Sequence, residues 1–166
     1  MRTDLLDLLL ALDTVPQDPA FHPEGDALYH SLQVFDLARK ATDDRQLWAA
    51  ALLHDVGKAL GSAGHAEAGA DLLDGLIAPR VVWLVRHHLD LLLRKAATKR
   101  RLRGTPSLRD LTRLRDWDVQ GRSPRASVLS PDEAVDLLLA GDLSVLAPEF
   151  SSSPLMNDDD YETEAN

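Results

Sequence analysis

Apolar residues recur at helical spacing along almost the whole chain, and no stretch of useful length alternates apolar and polar residues as a half-buried strand does. Prolines and glycines interrupt this pattern and divide it into segments of helical length. The sequence therefore predicts an all-α fold. With 166 residues, the chain is long enough to bury a core without disulfides.

The interruptions and the capping residues predict where the helices lie. Asp43 or Asp44 is a candidate N-cap, Thr105 can cap a helix that begins at Pro106, and Ser130 opens a capping box. We expect residues 15–26 to form a loop and residues 99–104 to form a loop or a frayed helix end. The expected helices cover residues 5–12, 27–41, 45–60, 65–77, 79–97, 106–120 and 131–139.

The composition changes after Pro148. Residues 149–166 are acidic and poor in apolar side chains, so we expect a disordered tail that follows a single domain over residues 1–148. The longest apolar run, Leu47 to Leu53, is too short to span a bilayer, and the first residues are too acidic for a signal peptide. We expect a cytoplasmic protein without membrane contact; the pattern indicates no particular oligomeric state.

The charge is unevenly distributed along the chain. The formal net charge is −9, yet residues 94–125 hold eleven Lys or Arg residues and three acidic ones. This basic segment is either a solvated surface or a region that contacts RNA or another phosphate-bearing ligand. The absence of cysteine excludes a disulfide scaffold, a thiolate metal site and a cysteine nucleophile.

The dipeptide His54-Asp55 lies in a segment that is apolar nearly all round, which predicts a buried helix. An ionised aspartate there is costly unless it is paired or bound to a metal. Adjacent helical residues point about 100° apart, so His54 and Asp55 can converge on one ion, and the carboxylate can bridge two. Lys58 lies on the same side of the helix and would suit a phosphate oxygen.

Further ligands must come from other helices. His30 lies among apolar residues of the preceding helix, and Asp118 is an acid within the basic segment. Taken alone, His30 would be a core histidine and Asp118 a salt-bridge partner of Arg115 or Arg122. Imidazole and carboxylate ligands together suit Mn²⁺, Fe²⁺, Co²⁺, Ni²⁺ or Zn²⁺.

The ordered set His30, His54-Asp55 and Asp118 resembles the HD-domain superfamily of metal-dependent phosphohydrolases over roughly residues 20–125. The local strings His-Pro-Glu-Gly-Asp (22–26), Ala-Leu-Leu-His-Asp-Val-Gly-Lys (51–58) and Asp-Val-Gln-Gly-Arg (118–122) are similar to the HD region of bacterial tRNA nucleotidyltransferases. The resemblance implies a compact helical bundle with a central divalent metal held by His30, His54, Asp55 and Asp118. It also implies hydrolysis of a phosphomonoester or phosphodiester by a metal-activated water.

The chain departs from those transferases because it contains no Gly-Ser-x-Asp-x-Asp strand and no nucleotidyltransferase head. We therefore expect a standalone HD domain that does not add nucleotides. By the same resemblance, His65 and His88 are candidates for a second metal or for substrate contact, with His88 preferred over His87. The cofactor is then one divalent ion or two, with Mg²⁺ among the candidates, and we interpret His22 as a structural or rim residue.

Two classes of function fit these patterns. The first is a phosphohydrolase of a nucleotide-like substrate, such as a cyclic 2′,3′-phosphate, a nucleoside monophosphate or a dinucleoside polyphosphate. In it, Asp55 and Lys58 are catalytic, and Lys58, Arg86, Arg115 and Arg122 bind phosphate. The alternative is a metal-stabilised regulatory or RNA- or protein-binding module without its own turnover. A third hypothesis is an RNA-end-processing subunit whose specificity comes from a partner.

Overall fold

The computed structural model describes residues 1–13 and 15–148, and within these residues it is helical and contains no strand. The all-α prediction is confirmed. The expected acidic tail lies outside the described residues. The helices are α1 (Arg2–Leu10), α2 (Ala27–Ala41), α3 (Arg45–Leu53), a 3₁₀ helix (Val56–Leu60), α4 (His65–Leu73), α5 (Pro79–His87), α6 (Asp90–Leu93), α7 (Lys95–Arg101), α8 (Pro106–Gln120) and α9 (Pro131–Leu139).

Helix α3 lies at the centre of the bundle. Every residue from Leu47 to Leu53 is buried, because α2, α5, α8 and α9 all pack against this helix. A helix that is apolar on all sides can be stable in water only when it is enclosed in this way. The carboxyl end of α3 therefore delivers the next two residues, His54 and Asp55, into the interior. Among the described residues, no helix combines the length and the apolar character that a bilayer span requires.

Local capping explains where several helices begin. The Asp44 carboxylate accepts hydrogen bonds from two backbone N–H groups of α3, and the Thr105 hydroxyl accepts one from α8. Ser130 and Glu133 form the predicted capping box at the start of α9. These caps and the predicted bounds of α2, α8 and α9 are confirmed.

The prediction of one helix over residues 45–60 is wrong. Helix α3 ends at Leu53, and a 3₁₀ helix begins at Val56. The chain changes course because Gly57 lies directly against the backbone of α4, where an added Cβ would come within 2.0 Å of the His65 carbonyl oxygen.

Other predicted helix ends also differ from the structure. Helix α4 ends at Leu73 rather than at residue 77, and the helix predicted over 79–97 is divided into α5, α6 and the start of α7. Lys99 to Arg101, predicted to be a loop or a frayed end, lie in α7. The buried Asp90 lies in this divided stretch, and its carboxylate pairs with His87, Arg94 and Arg101. The Arg101 contact requires the chain to turn between α6 and α7, because residues 90 and 101 would lie about 16 Å apart along one continuous helix.

Candidate metal centre

Imidazole and carboxylate groups from six helical elements meet in the interior beside the carboxyl end of α3. All of them are buried. α2 and α8 each contribute one residue, α3 and α5 contribute the residues that cap their ends, α4 contributes its first residue, and the 3₁₀ helix contributes the residue that precedes it. We call this group the central cluster: His30, His54, Asp55, His65, His88 and Asp118.

The Asp55 carboxylate lies between two pairs of histidines. Its Oδ2 is 3.4 Å from His54 Nε2 and 3.9 Å from His30 Nε2. Its Oδ1 is 3.2 Å from His65 Nε2 and 3.7 Å from His88 Nε2. The two oxygens of one carboxylate therefore face two different imidazole pairs, which is an arrangement that can bridge two ions.

Each imidazole of the central cluster is held through Nδ1 by a backbone carbonyl. A carbonyl oxygen can only accept a hydrogen bond, so Nδ1 carries a proton, and in the neutral form of such a ring Nε2 presents a lone pair. Fixing the tautomer in this way is how metal-ligating histidines are oriented. The Nδ1–O distances are 2.9 Å for His30 to Gly121, 2.9 Å for His54 to Ala51, 2.8 Å for His65 to Ser62, and 2.6 Å for His88 to Val85.

The Nε2 atoms lack suitable partners. Those of His30 and His54 are buried without a hydrogen bond to any part of the chain that the structure describes. Those of His65 and His88 are 3.2 Å apart, although two lone pairs cannot hydrogen-bond to each other. A cation bound between these atoms would resolve both features, because orphaned buried acceptors are costly. The donor set thus fits divalent ions.

Charge in the central cluster supports the same interpretation. Burial would raise the pKa of Asp55, but His54, His65 and Lys58 hold that pKa well below its usual range. The pKa of Asp118 is likewise held well below its usual range by His30 and His54, against the effect of burial. Burial and the neighbouring His54 lower the pKa of His88 to about 4, so its ring is neutral at pH 7. Ionised carboxylates and a neutral imidazole are the forms that bind metals.

Lys58 lies at the edge of the central cluster. Its Nζ is 2.6 Å from Asp55 Oδ2 and 2.5 Å from the Gln17 side-chain oxygen. The same lysine lines a cleft of about 740 Å³ that opens beside the cluster. The 3₁₀ helix therefore places this cation between the buried carboxylate and the solvent, where a phosphate could reach it.

Two arginines of the carboxyl half of the basic segment border the same cleft. Arg115 Nη1 is 2.6 Å from Asp118 Oδ2, and Arg122 Nη2 is 3.2 Å from Asp118 Oδ1. These are the ion pairs expected if Asp118 served only as a salt-bridge partner. Because Asp118 Oδ1 is also 3.2 Å from His30 Nε2, however, the carboxylate joins the arginines to the central cluster.

Two candidates from the sequence lie elsewhere. Arg86, expected to bind phosphate, is partly exposed, pairs with Asp71 at 2.7 Å and is not among the residues that line the cleft. His87 is partly exposed and contacts Asp90, whereas the adjacent His88 faces Asp55. The turn that ends α5 sends the two neighbouring imidazoles in different directions.

Sequence reasoning missed Glu24, which is buried and adjoins the central cluster. Its Oε1 is 2.9 Å from His30 Nδ1 and 2.8 Å from His22 Nδ1. These three residues form a further group with metal-ligand spacing. Because His30 would have to use its protonated Nδ1 there, Glu24 is better suited to orienting His30. The only sequence feature that pointed to Glu24 was its place in the string His-Pro-Glu-Gly-Asp (22–26).

Comparison with known proteins agrees with this geometry. A family model described as HD domain matches residues 27–122, which hold every member of the central cluster. The chain is 46% identical over 87 residues to the multifunctional CCA protein of Halorhodospira halophila, and 42% identical over 69 residues to that of Methylococcus capsulatus.

These matches cover only part of each protein. They include 46% and 37% of this chain, and 21% and 16% of the two relatives' lengths. The family model, in contrast, spans more than half of the chain. The resemblance stated from the sequence is confirmed: the chain belongs to the HD-domain family.

Proposed function

We propose that this chain is a metal-dependent phosphohydrolase that cleaves a phosphomonoester or a phosphodiester in a nucleotide-like substrate. The observation that carries the proposal is the position of one buried carboxylate, Asp55, between two pairs of imidazole Nε2 atoms. Membership of the HD-domain family supports it.

In this proposal, His30, His54, Asp55 and Asp118 hold one divalent ion, and Asp55, His65 and His88 hold a second. The donor chemistry suits Mn²⁺, Fe²⁺, Co²⁺, Ni²⁺ or Zn²⁺. Such ions, when bound, supply Lewis-acid polarisation of a phosphoryl oxygen and lower the pKa of a bound water.

The chain's own cations complete the site. Lys58, Arg115 and Arg122 line the cleft through which a phosphate would approach the central cluster. Their positive charge offsets the negative charge that develops on phosphoryl oxygens during hydrolysis. Lys58 acts from the Asp55 side, and the two arginines act from the Asp118 side.

The test is hydrolysis of p-nitrophenyl phosphate and bis-p-nitrophenyl phosphate after chelation and addition of Mn²⁺, Co²⁺ or Ni²⁺. We expect turnover only with metal. Asp55→Ala should reduce turnover by about 100-fold or more while circular dichroism stays helical, because this side chain would serve both ions.

Asp110→Asn is the matched control. Asp110 is also a buried carboxylate, but it pairs with Arg80 at 2.8 Å, outside the central cluster. This variant should keep its metal and its turnover. Full activity of Asp55→Ala with unchanged metal content would place the site elsewhere. A wild-type chain that binds metal but hydrolyses neither ester would favour the binding-module alternative.

A further inference from the structure

Beyond the metal centre, we infer that the chain binds a single-stranded polynucleotide along one continuous groove. Its terminal nucleotide would occupy the cleft beside the central cluster, and its following phosphates would lie along α7 and α8. This inference rests on the proposed function, because it places the reacting phosphate at the central cluster. The inference adds that the substrate is the end of a polynucleotide and not a free nucleotide.

The first observation is the mixed character of the cleft. Phe21 is 65% exposed and Leu93 is 68% exposed, so two large apolar side chains face solvent at one cleft. They line the same cleft as the cations Lys58 and Arg115. An exposed aromatic ring beside positive charge suits a nucleotide, whose base stacks on the ring while its phosphate meets the cation.

The loop that carries Phe21 is held in place. The Arg122 guanidinium donates a hydrogen bond from Nη1 to the Phe21 carbonyl oxygen at 3.0 Å. The backbone N–H of His22 donates to the Asp18 carbonyl at 2.8 Å, which closes a turn around Phe21. The ring is therefore presented at the cleft by a loop anchored to the end of α8.

The cleft continues into two further depressions. The cleft and a depression of about 370 Å³ are both lined by Leu92 and Arg115. That depression and a third, of about 630 Å³, are both lined by Lys99 and Thr112. The shared residues make one groove that runs from the central cluster along the faces of α7 and α8.

Apart from Arg115, the cations along the α7 and α8 part of this groove form no ion pairs with any described residue, although the acidic Asp116 also lines it. Outside the basic segment, every described Lys or Arg except Arg45 is paired with an acidic group. Within the groove, in contrast, no described acidic side chain pairs with the following residues, which we call the basic track: Lys95, Lys99, Arg103, Arg109 and Arg113.

An array of unpaired like charges is unfavourable by itself and favours a ligand with repeated negative charge. A single nucleotide in the cleft would leave the cations along the two further depressions without a counter-charge. An acidic peptide would supply the charge but no phosphate for the central cluster and no ring to stack on Phe21. A polynucleotide supplies repeated phosphates, a reacting phosphate and a base at once.

The experiment measures binding of a fluorescein-labelled 12-nucleotide oligouridylate by anisotropy, in the full chain as purified and after chelation. We expect it to bind at least tenfold more tightly than uridine monophosphate in competition, because added phosphate contacts add affinity. Phe21→Ala should weaken binding at least fivefold through lost stacking. Lys99→Gln, Arg103→Gln and Arg113→Gln together should lower the salt slope by roughly 2 units.

Arg2→Gln, Arg39→Gln and Lys40→Gln together form the matched control, because these three cations, of which Arg39 is partly buried, are ion-paired and lie outside the groove. The control should bind like wild type. Equal affinity for the mononucleotide and the oligonucleotide, equal effects of the two triple variants, or equal displacement by polyglutamate would each overturn the inference.

Turnover of bis-p-nitrophenyl phosphate separates this inference from the proposed function. That ester is too small to reach the basic track, so the Lys99, Arg103 and Arg113 triple variant should hydrolyse it at the wild-type rate. Normal turnover with no preference for the oligonucleotide would overturn only the inference. Oligonucleotide binding without turnover under any metal would contradict only the proposed function.

Discussion

The histidines of the central cluster owe their orientation to backbone carbonyls that lie nearby. Three of the four accepting carbonyls are three residues upstream of their histidine, at the end of a helix or in a turn. His30 differs, because its Nδ1 faces Gly121 of another element and also the buried carboxylate of Glu24. A histidine held by a carboxylate is a more basic metal ligand than one held by a carbonyl alone.

Glu24→Gln tests this positioning role. The change keeps the size of the side chain and removes its charge, so we expect His30 to bind metal less well and the affinity for Mn²⁺ to fall about tenfold in calorimetric titration. Glu67→Gln, on the exposed side of α4, is the control and should bind Mn²⁺ like wild type. Unchanged affinity in Glu24→Gln would show that Glu24 serves only packing.

Sequence reasoning identifies a residue that is both buried and charged more reliably than a residue whose side-chain direction depends on a neighbouring helix. Asp55 could be singled out because an acid after an apolar helix needs a partner. Arg86 was placed at the phosphate site, but which side of α5 faces Asp71 depends on how α4 and α5 pack. The sequence does not single out Glu24, because its partners are brought to it by tertiary structure: His22 through a turn, and His30 from the first turns of α2.

At the scale of elements, the close contact between the 3₁₀ helix and α4 brings the two halves of the central cluster together. Gly57 and Gly69 lie at this contact, where an added Cβ on Gly57 would come within 2.5 Å of the Gly69 nitrogen. Asp55 precedes the 3₁₀ helix and His65 begins α4, so their 3.2 Å separation depends on this approach.

Gly57→Ala should therefore destabilise the fold and separate Asp55 from His65. We expect the free energy of unfolding in urea to fall by about 2 to 3 kcal/mol, because the added methyl group meets backbone that cannot move aside. Gly104→Ala is the control: it has φ +76° but open space around it, so it should lose only about 1 kcal/mol. Similar losses in both variants would contradict the importance of the contact.

Helix starts were predictable from local chemistry, whereas helix ends were not. The side chains of Asp44, Thr105 and Ser130 cap the backbone that follows them directly, so the signal lies within a few residues. The end of α3 and the end of α6 depend on distant groups: the α4 backbone against Gly57, and Arg101 against Asp90. Hydrophobic periodicity continues through both ends and gives no sign of them.

At the scale of the whole molecule, the bundle gathers unpaired positive charge in one region. A chain with a formal net charge of −9 keeps its unpaired cations largely on α7, α8 and the turn between them, next to the opening of the central cluster. The composition predicted this basic segment, but it could not show that the segment forms a groove that reaches the cluster. That follows only from the packing of α6 and α8 beside the loop that carries Phe21.

The most direct test of the metal centre is the number of Mn²⁺ ions that the full chain binds after chelation, measured by titration with electron paramagnetic resonance detection. Two ions per chain with an exchange-coupled signal are expected, because both oxygens of Asp55 face ligand pairs. A single uncoupled ion would contradict the bridging position of Asp55. Absence of saturable Mn²⁺ binding would contradict the metal centre itself.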